Sequence, residues 1–200
     1  LMIAGITGNN YNDGKHTHLT NNCSNNAPIT ILGSTAANAT KGMYHYRVGG
    51  CEGFGRNLAS NLTNNKEGVI TCKGTVKMMN TNFKGCDIGG VTAYRTTCGW
   101  SVSKNYADIN VDLNYSMLDG VEDTTTVIDD RALFVGGVCG YSSQANKNSI
   151  NKGNVTLHIN SEGSDLIRLH LLNQIGIVEF LFVIPHVANN DGGKNEYRYQ

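Results

Sequence analysis

The sequence predicts an all-β fold, a parallel β-helix or β-solenoid built from about four imperfect repeats of about 45 residues. Three observations carry that expectation. A short glycine-centred block returns four times, an alternating apolar and polar segment follows each block, and the composition is rich in turn formers and poor in charge.

The block reads Ile3-Ala4-Gly5-Ile6-Thr7-Gly8-Asn9, Val48-Gly49-Gly50-Cys51-Glu52-Gly53-Phe54, Ile88-Gly89-Gly90-Val91-Thr92-Ala93-Tyr94 and Val135-Gly136-Gly137-Val138-Cys139-Gly140-Tyr141, with starts 45, 40 and 47 residues apart. A Gly-Gly beside a β-branched residue lets backbone pass close to backbone, or take positive φ, where a coil turns from one sheet to the next. The structural repeat glycines are therefore Gly5, Gly8, Gly49, Gly50, Gly53, Gly89, Gly90, Gly136, Gly137 and Gly140.

The second element follows about 19 residues after the glycine pair in the later copies: Ile109-Asn110-Val111-Asp112-Leu113 and Val155-Thr156-Leu157-His158-Ile159. Val69-Ile70-Thr71-Cys72 is a looser match, and Pro28-Ile29-Thr30-Ile31-Leu32 stands at a longer distance. Strict alternation puts one set of side chains on each face, the mark of a half-buried strand.

Between these elements the chain is dominated by Asn, Ser, Thr and 24 Gly, with only 2 Pro and 16% charged residues against roughly 25% in an average domain. Such a surface is made of neutral polar groups suited to strands and turns. Phe54, Tyr94 and Tyr141 end their blocks and are expected to stack from coil to coil. The Asn-rich turns Asn21-Asn22, Asn64-Asn65 and Asn151-Lys152-Gly153-Asn154 are candidates for amide ladders along the axis, with ordinary solvated turns as the open alternative.

The blocks Gly49-Gly50-Cys51-Glu52-Gly53-Phe54 and Gly136-Gly137-Val138-Cys139-Gly140-Tyr141, with Asn151-Lys152-Gly153-Asn154-Val155, resemble GLUG-type repeats of adhesin-like surface and secreted proteins of gut Bacteroidetes. The resemblance covers roughly residues 3 to 160. It implies a bacterial extracellular or cell-surface location and no shared active site. Ala93 and Ala4 depart from the pattern by standing where other copies have glycine.

A period near 45 is about twice a usual solenoid coil, so each repeat is expected to supply two coils. That gives about seven coils and a rod on the order of 30 Å long. Residues 1–165 form the expected repeat domain and residues 166–200 a non-repeat C-terminal tail. From Leu166 to Val187 the tail is far more apolar than the rest and lacks the glycine corner. A terminal cap and an extraneous extension are both open readings. A membrane span is disfavoured because Arg168, His170, Asn173, Gln174, Glu179 and Pro185 interrupt the stretch. Residues Ala188 to Gln200 are expected to fray. The start at Leu1 lacks a signal-peptide pattern and an initiating Met, which reads as an internal piece or an incomplete reading frame.

The six cysteines, Cys23, Cys51, Cys72, Cys86, Cys98 and Cys139, form no Cys-x-x-Cys pair and no zinc spacing. Cys51 takes the position of Ile6, Val91 and Val138 and is expected to be a small buried apolar residue. Cys139 aligns with Thr7, Glu52 and Thr92, on the opposite face. His16, His18 and Asp13 are a weak metal candidate. Glu122, Asp123, Asp129 and Asp130 beside Arg131 resemble the acidic sites of β-helical polysaccharide lyases and glycosidases, although a solvated inserted loop explains them better. The triplets at Asn38, Asn61 and Asn154 match the glycosylation pattern but are common by chance in an Asn- and Thr-rich chain.

No catalytic, cofactor-binding or metal-ligating set is expected, and no cofactor. Net charge is zero, with 16 basic and 16 acidic residues and no Lys/Arg cluster, which argues against nucleic acid and anionic membrane as partners. The expected function is that of an adhesin-like repeat protein, a spacer or a face for glycan or host cell-surface protein. The alternative is a carbohydrate-active enzyme on a β-helix. An enzyme needs carboxylates from several coils converging in one groove.

Overall fold

A computed structural model describes residues 2–10, 19–32, 47–78, 86–96, 100–117, 133–143, 146–161, 169–172 and 195–199. Every regular element in them is a β-strand.

Coil one contributes β1 (Met2–Ala4), β2 (Thr7–Asn10), β3 (Leu19–Asn25) and β4 (Ile29–Leu32). Coil two contributes β5 (Arg47–Gly49), β6 (Glu52–Gly55), β7 (Leu58–Asn64) and β8 (Ile70–Met78). Coil three has β9 (Asp87–Gly89), β10 (Thr92–Arg95), the split pair β11 (Trp100–Ser101) and β12 (Lys104–Asn105), and β13 (Ile109–Met117). Coil four repeats that plan with β14 (Leu133–Gly136), β15 (Cys139–Ser142), β16 (Asn146–Lys147), β17 (Ile150–Asn151) and β18 (Val155–Ser161). Two strands follow: β19 (Leu169–Leu172) and β20 (Asn195–Tyr199).

Like strands of successive coils pair in parallel and build four sheets. Sheet A runs β1-β5-β9-β14-β19 and sheet B β2-β6-β10-β15. Sheet C joins β3 and β7 to the split pairs, and sheet D runs β4-β8-β13-β18-β20. The chain is a parallel β-solenoid.

The register corrects the expected coil count. Ile3 pairs with Val48, Val48 with Ile88 and Ile88 with Val135. One step along the axis is therefore one whole repeat, so each repeat supplies one coil and not two. Four coils stacked at about 4.8 Å give a stack on the order of 15–20 Å, about half the expected rod.

The extra length of each coil goes into a nested path. Sheets C and D form an outer arch around an inner arch of sheets A and B, whose tip is the glycine corner. Sheet A faces sheet D across an apolar core containing Val48, Ile88, Val135, Ile70, Cys72, Ile109, Val111, Leu113 and Leu157. The corner and sheet B face sheet C across a second core containing Cys51, Val91, Val138, Cys139, Ala59 and Leu62. In β13 the alternation is literal: Ile109, Val111 and Leu113 are buried while Asp112 and Asn114 are exposed. The register also unites the looser copies, since Ile29, Ile70, Ile109 and Val155 share one column.

In the tail, β19 extends sheet A with Leu171 opposite Val135. The expectation of fraying fails for Asn195–Tyr199, which runs antiparallel to β18 with Glu196 opposite His158. The backbone groups on the edge of β18 recruit that strand, and local polarity does not override them. The remainder of 166–200 lies outside the described residues.

Candidate functional site

The repeat glycines form three columns. Gly49, Gly89 and Gly136 close the strands of sheet A, with Ala4 in the first coil. Gly8, Gly53 and Gly140 lie in sheet B, with Ala93 fully buried in the same column. Gly5, Gly50, Gly90 and Gly137 form the tip of the inner arch. A Cβ on Gly50 would fall on the Gly90 carbonyl oxygen of the next coil and on the Asn64 side chain, and one on Gly90 on the Gly137 carbonyl and Asn105. Close approach is the requirement here, not left-handed backbone, because Gly74 alone among the described glycines has positive φ.

The tip rests against a buried asparagine ladder at the bend between sheets C and D. Asn25 Nδ2 donates to Asn64 Oδ1 at 2.9 Å, Asn64 to Asn105 at 3.0 Å and Asn105 to Asn151 at 2.8 Å. The other Nδ2 hydrogen closes each coil's own turn onto the carbonyl of Ala27, Gly68, Ala107 or Gly153. Asn25, Asn64 and Asn105 thus spend one donor within the coil and one between coils, and Asn151 accepts the last rung through Oδ1, which satisfies groups that burial would otherwise make costly. Two of the expected turn residues, Asn64 and Asn151, belong to this ladder. Asn61 to Asn22 and Asn65 to Asn26 add exposed rungs.

Asn22, Asn61, Val102 and Asn148 share one further property, a positive φ of 53–55°. They occupy equivalent places in sheet C, where the left-handed residue re-aims the strand. Asn tolerates that conformation, whereas β-branched Val102 is strained there by about 1–2 kcal/mol.

Sheet B carries the expected aromatic ladder. Phe54 and Tyr94 lie 5.6 Å apart, and Tyr94 stacks on Tyr141 at 4.8 Å and 16°. Across the narrow gap from sheet A, the Arg47 guanidinium lies 3.8 Å from the Tyr94 centroid and 4.6 Å from Phe54. Its Nε donates to Asp87 Oδ2 at 3.0 Å. In coil four Phe134 replaces that pair, meeting Tyr141 edge-on at 5.1 Å. Burial raises the Tyr94 hydroxyl above its ordinary pKa, and Arg47 opposes the shift.

The second core contains a polar cluster that sequence reasoning missed. Glu52 and Arg95 are both fully buried, with Arg95 Nη2 3.3 Å from Glu52 Oε2. Arg95 also donates through Nη1 and Nη2 to the Asn57 carbonyl at 2.7 and 2.8 Å. Asn10 Nδ2 donates to Glu52 Oε1 at 3.0 Å, and Asn57 Nδ2 to Asn10 Oδ1 at 3.0 Å. Gly55, in register with Arg95, leaves the room the guanidinium crosses to reach the preceding coil. The only available signal was a glycine in a strand beside an arginine one repeat later.

Among the described thiols, Cys51, Cys72, Cys86 and Cys139 are buried and Cys23 is half-buried. Cys51 is buried as expected. Cys139 is buried in the same core, not on an opposite face, because the corner between the two positions interrupts the alternation. Burial pushes the Cys51 and Cys72 thiols up to about 12, and Cys139 is raised as well, so all three are protonated at neutral pH. His16, His18, Asp13, Cys98, Asn38 and the acidic group Glu122, Asp123, Asp129, Asp130 with Arg131 lie outside the described residues. Asn154 is exposed and binds Asp108.

Among the described residues no group of three or more His, Cys, Asp and Glu side chains is placed to hold a metal. No helix among them is long and apolar enough to cross a membrane. The chain matches no protein-family model, no curated protein and no solved structure.

Proposed function

We propose that this chain is part of a bacterial secreted or cell-surface adhesin-like protein of the GLUG-repeat kind. Its solenoid acts without catalysis, as a spacer or as a face for glycan or host protein. One observation carries this reading: the side chains that recur at repeat spacing spend their chemistry on the next coil. The buried amides bond to one another, and the aromatic rings stack on one another. The charged residues Arg95 and Arg47, although they do not recur, also pair with a neighbouring coil, on Glu52 and Asp87. Groups committed in this way hold a stack together and are not free to bind or polarise a substrate.

The test is a glycan array and a polysaccharide panel scored for retention and cleavage with the full chain. Retention without cleavage is expected of a binding face, and neither is expected of a spacer. Cleavage that disappears in Asp129→Asn or Asp130→Asn would replace this reading with the carbohydrate-active enzyme.

A further inference from the structure

Two cysteines meet in the second core from different coils. Cys51 is a member of that core at the tip of coil two, and Cys23 of β3 packs against it from coil one. The register brings them to one place: Cys23 pairs with Leu62 and Ser24 with Thr63, and the Cys51 thiol donates to the Thr63 carbonyl at 3.4 Å. The Cys51 sulfur therefore lies on the strip of sheet C where coils one and two run side by side, one residue along from Cys23.

The surroundings of that sulfur agree. Burial does most to raise the Cys51 thiol, the Asn25 backbone N–H opposes the rise and the Cys23 thiol adds to it, so two groups of coil one lie close to Cys51. Cys23 and Asn25 share the inward face of β3, because residues two apart in a strand point the same way. The Cys23 thiol donates to the Asn21 carbonyl at 3.2 Å, a bond within its own strand that a change of rotamer releases.

The other described thiols are placed differently. In the column of Cys23 the later coils carry Leu62, Ser103 and Ser149, and in that of Cys51 they carry Val91 and Val138. Cys72 and Cys86 lie in the other core, where burial alone raises the Cys72 thiol. Cys139 is two coils from Cys51, about 10 Å along the axis, against the roughly 7 Å that a disulfide spans between Cα atoms.

We propose that Cys23 and Cys51 are a redox pair that closes to a disulfide joining coil one to coil two, with a small-molecule disulfide as the oxidant. Half-buried Cys23 attacks one sulfur of the oxidant as its thiolate and expels the other half. Cys51, once it has lost its proton, attacks the Cys23 sulfur and expels the second half. One protein S–S bond forms, the S–S bond of the oxidant takes up the two electrons, and the two protons end on the two small thiols released. The bond closes in an oxidising compartment and opens in a reducing one. The inference rests on the fold alone and stands whether the solenoid is a spacer or a binding face.

The test is incubation of the full chain with oxidised glutathione, alkylation of the remaining thiols after unfolding, and peptide mapping by mass spectrometry without reduction. The peptides of Cys23 and Cys51 are expected to appear joined, with two hydrogens lost. Cys51→Val, which gives the tip the residue of Val91 and Val138, is expected to stop at a glutathione adduct on Cys23. Cys23→Ser is expected to leave Cys51 reduced. Conversion of the adduct to the closed bond is expected to quicken about tenfold per pH unit between about pH 7 and 9, because the attacking thiol is pushed up to about 12. An adduct that persists on Cys23 of the unaltered chain at the upper pH overturns the proposal. So does a closing rate indifferent to pH, or a bond from Cys23 to any other cysteine, Cys98 included.

Discussion

The two cores of this solenoid are built from opposite materials. Between sheets A and D lies a column structure of Val, Ile, Leu and Cys. Between sheets B and C the apolar residues share the interior with Glu52, Arg95, Asn10 and Asn57. Apolar columns bury area but say little about which coil stacks on which, because Val48, Ile88 and Val135 are nearly interchangeable. The polar cluster is made of unique residues: Asn10 of coil one bonds Glu52 of coil two, and Arg95 of coil three returns to both Glu52 and the Asn57 carbonyl. The first core supplies apolar burial, and the second adds polar contacts particular to coils one, two and three.

The largest effect is expected where the polar core loses one charge. Arg95→Met leaves the Glu52 carboxylate buried and uncompensated and should cost about 3–5 kcal/mol in urea unfolding. The double variant Glu52→Leu with Arg95→Met should recover about 2 kcal/mol of that, as removal of both charges does at buried pairs. Ile88→Ala in the apolar core should cost about 2–4 kcal/mol. If Arg95→Met costs no more than a surface change, the two cores are not distinct in the way described.

Next comes the ladder that joins the arches. Asn64→Ala removes bonds to Asn25, Asn105 and the Gly68 carbonyl and should cost about 2–3 kcal/mol, read as a fall in thermal midpoint. Asn65→Ala, which removes an exposed rung, should cost about 0.5 kcal/mol or less. Equal effects would mean that burial does not set the worth of a rung.

Alkali tests the thiols of both cores. Cys51 and Cys72 titrate near 9.0 when unfolded and near 12 when folded. Their contribution is complete below pH 9, because the folded chain then binds no more protons than the unfolded one. It is lost as pH rises from about 9 to about 12, where only the unfolded chain releases them. At pH 10 a loss of about 1.4 kcal/mol for each thiol, about 3 kcal/mol for the two, relative to pH 8 is expected. Replacing both thiols by alanine should flatten that part of the pH profile, and an unchanged slope would assign it to other groups.

The smallest effect is a gain. Val102→Asn should stabilise by about 1 kcal/mol by relieving a β-branched residue at φ 53°. A neutral or negative result would mean that Val102 packs well enough to offset its strain.

Much of this architecture was written in the order of residues. The glycine blocks marked the corner, the alternation at Ile109 to Leu113 marked sheet D, and the spacing of Phe54, Tyr94 and Tyr141 announced a stack. Each is a local pattern repeated at a distance, so a parallel register brings equal residues together and one copy predicts the next. The same regularity hid the coil count, because a period gives the length of a repeat and not the number of sheets it crosses. Four strands folded as nested arches fill 45 residues as well as two simple coils would, and only pairing of Ile3 with Val48 distinguishes them. Glu52 and Arg95 were illegible for the converse reason. They stand in columns whose other members are Thr7, Thr92 and Cys139, or Asn10, Gly55 and Ser142, so no repetition marks them. The sequence by itself determined the strands of sheet D, the corner and the parallel stacking, which follow from local chemistry and periodicity, whereas the strands of sheet C were read as turns at Asn21-Asn22, Asn64 and Asn151. Tertiary structure alone decided which charges would meet in the dark between sheets B and C, since that depends on the room Gly55 leaves one coil away.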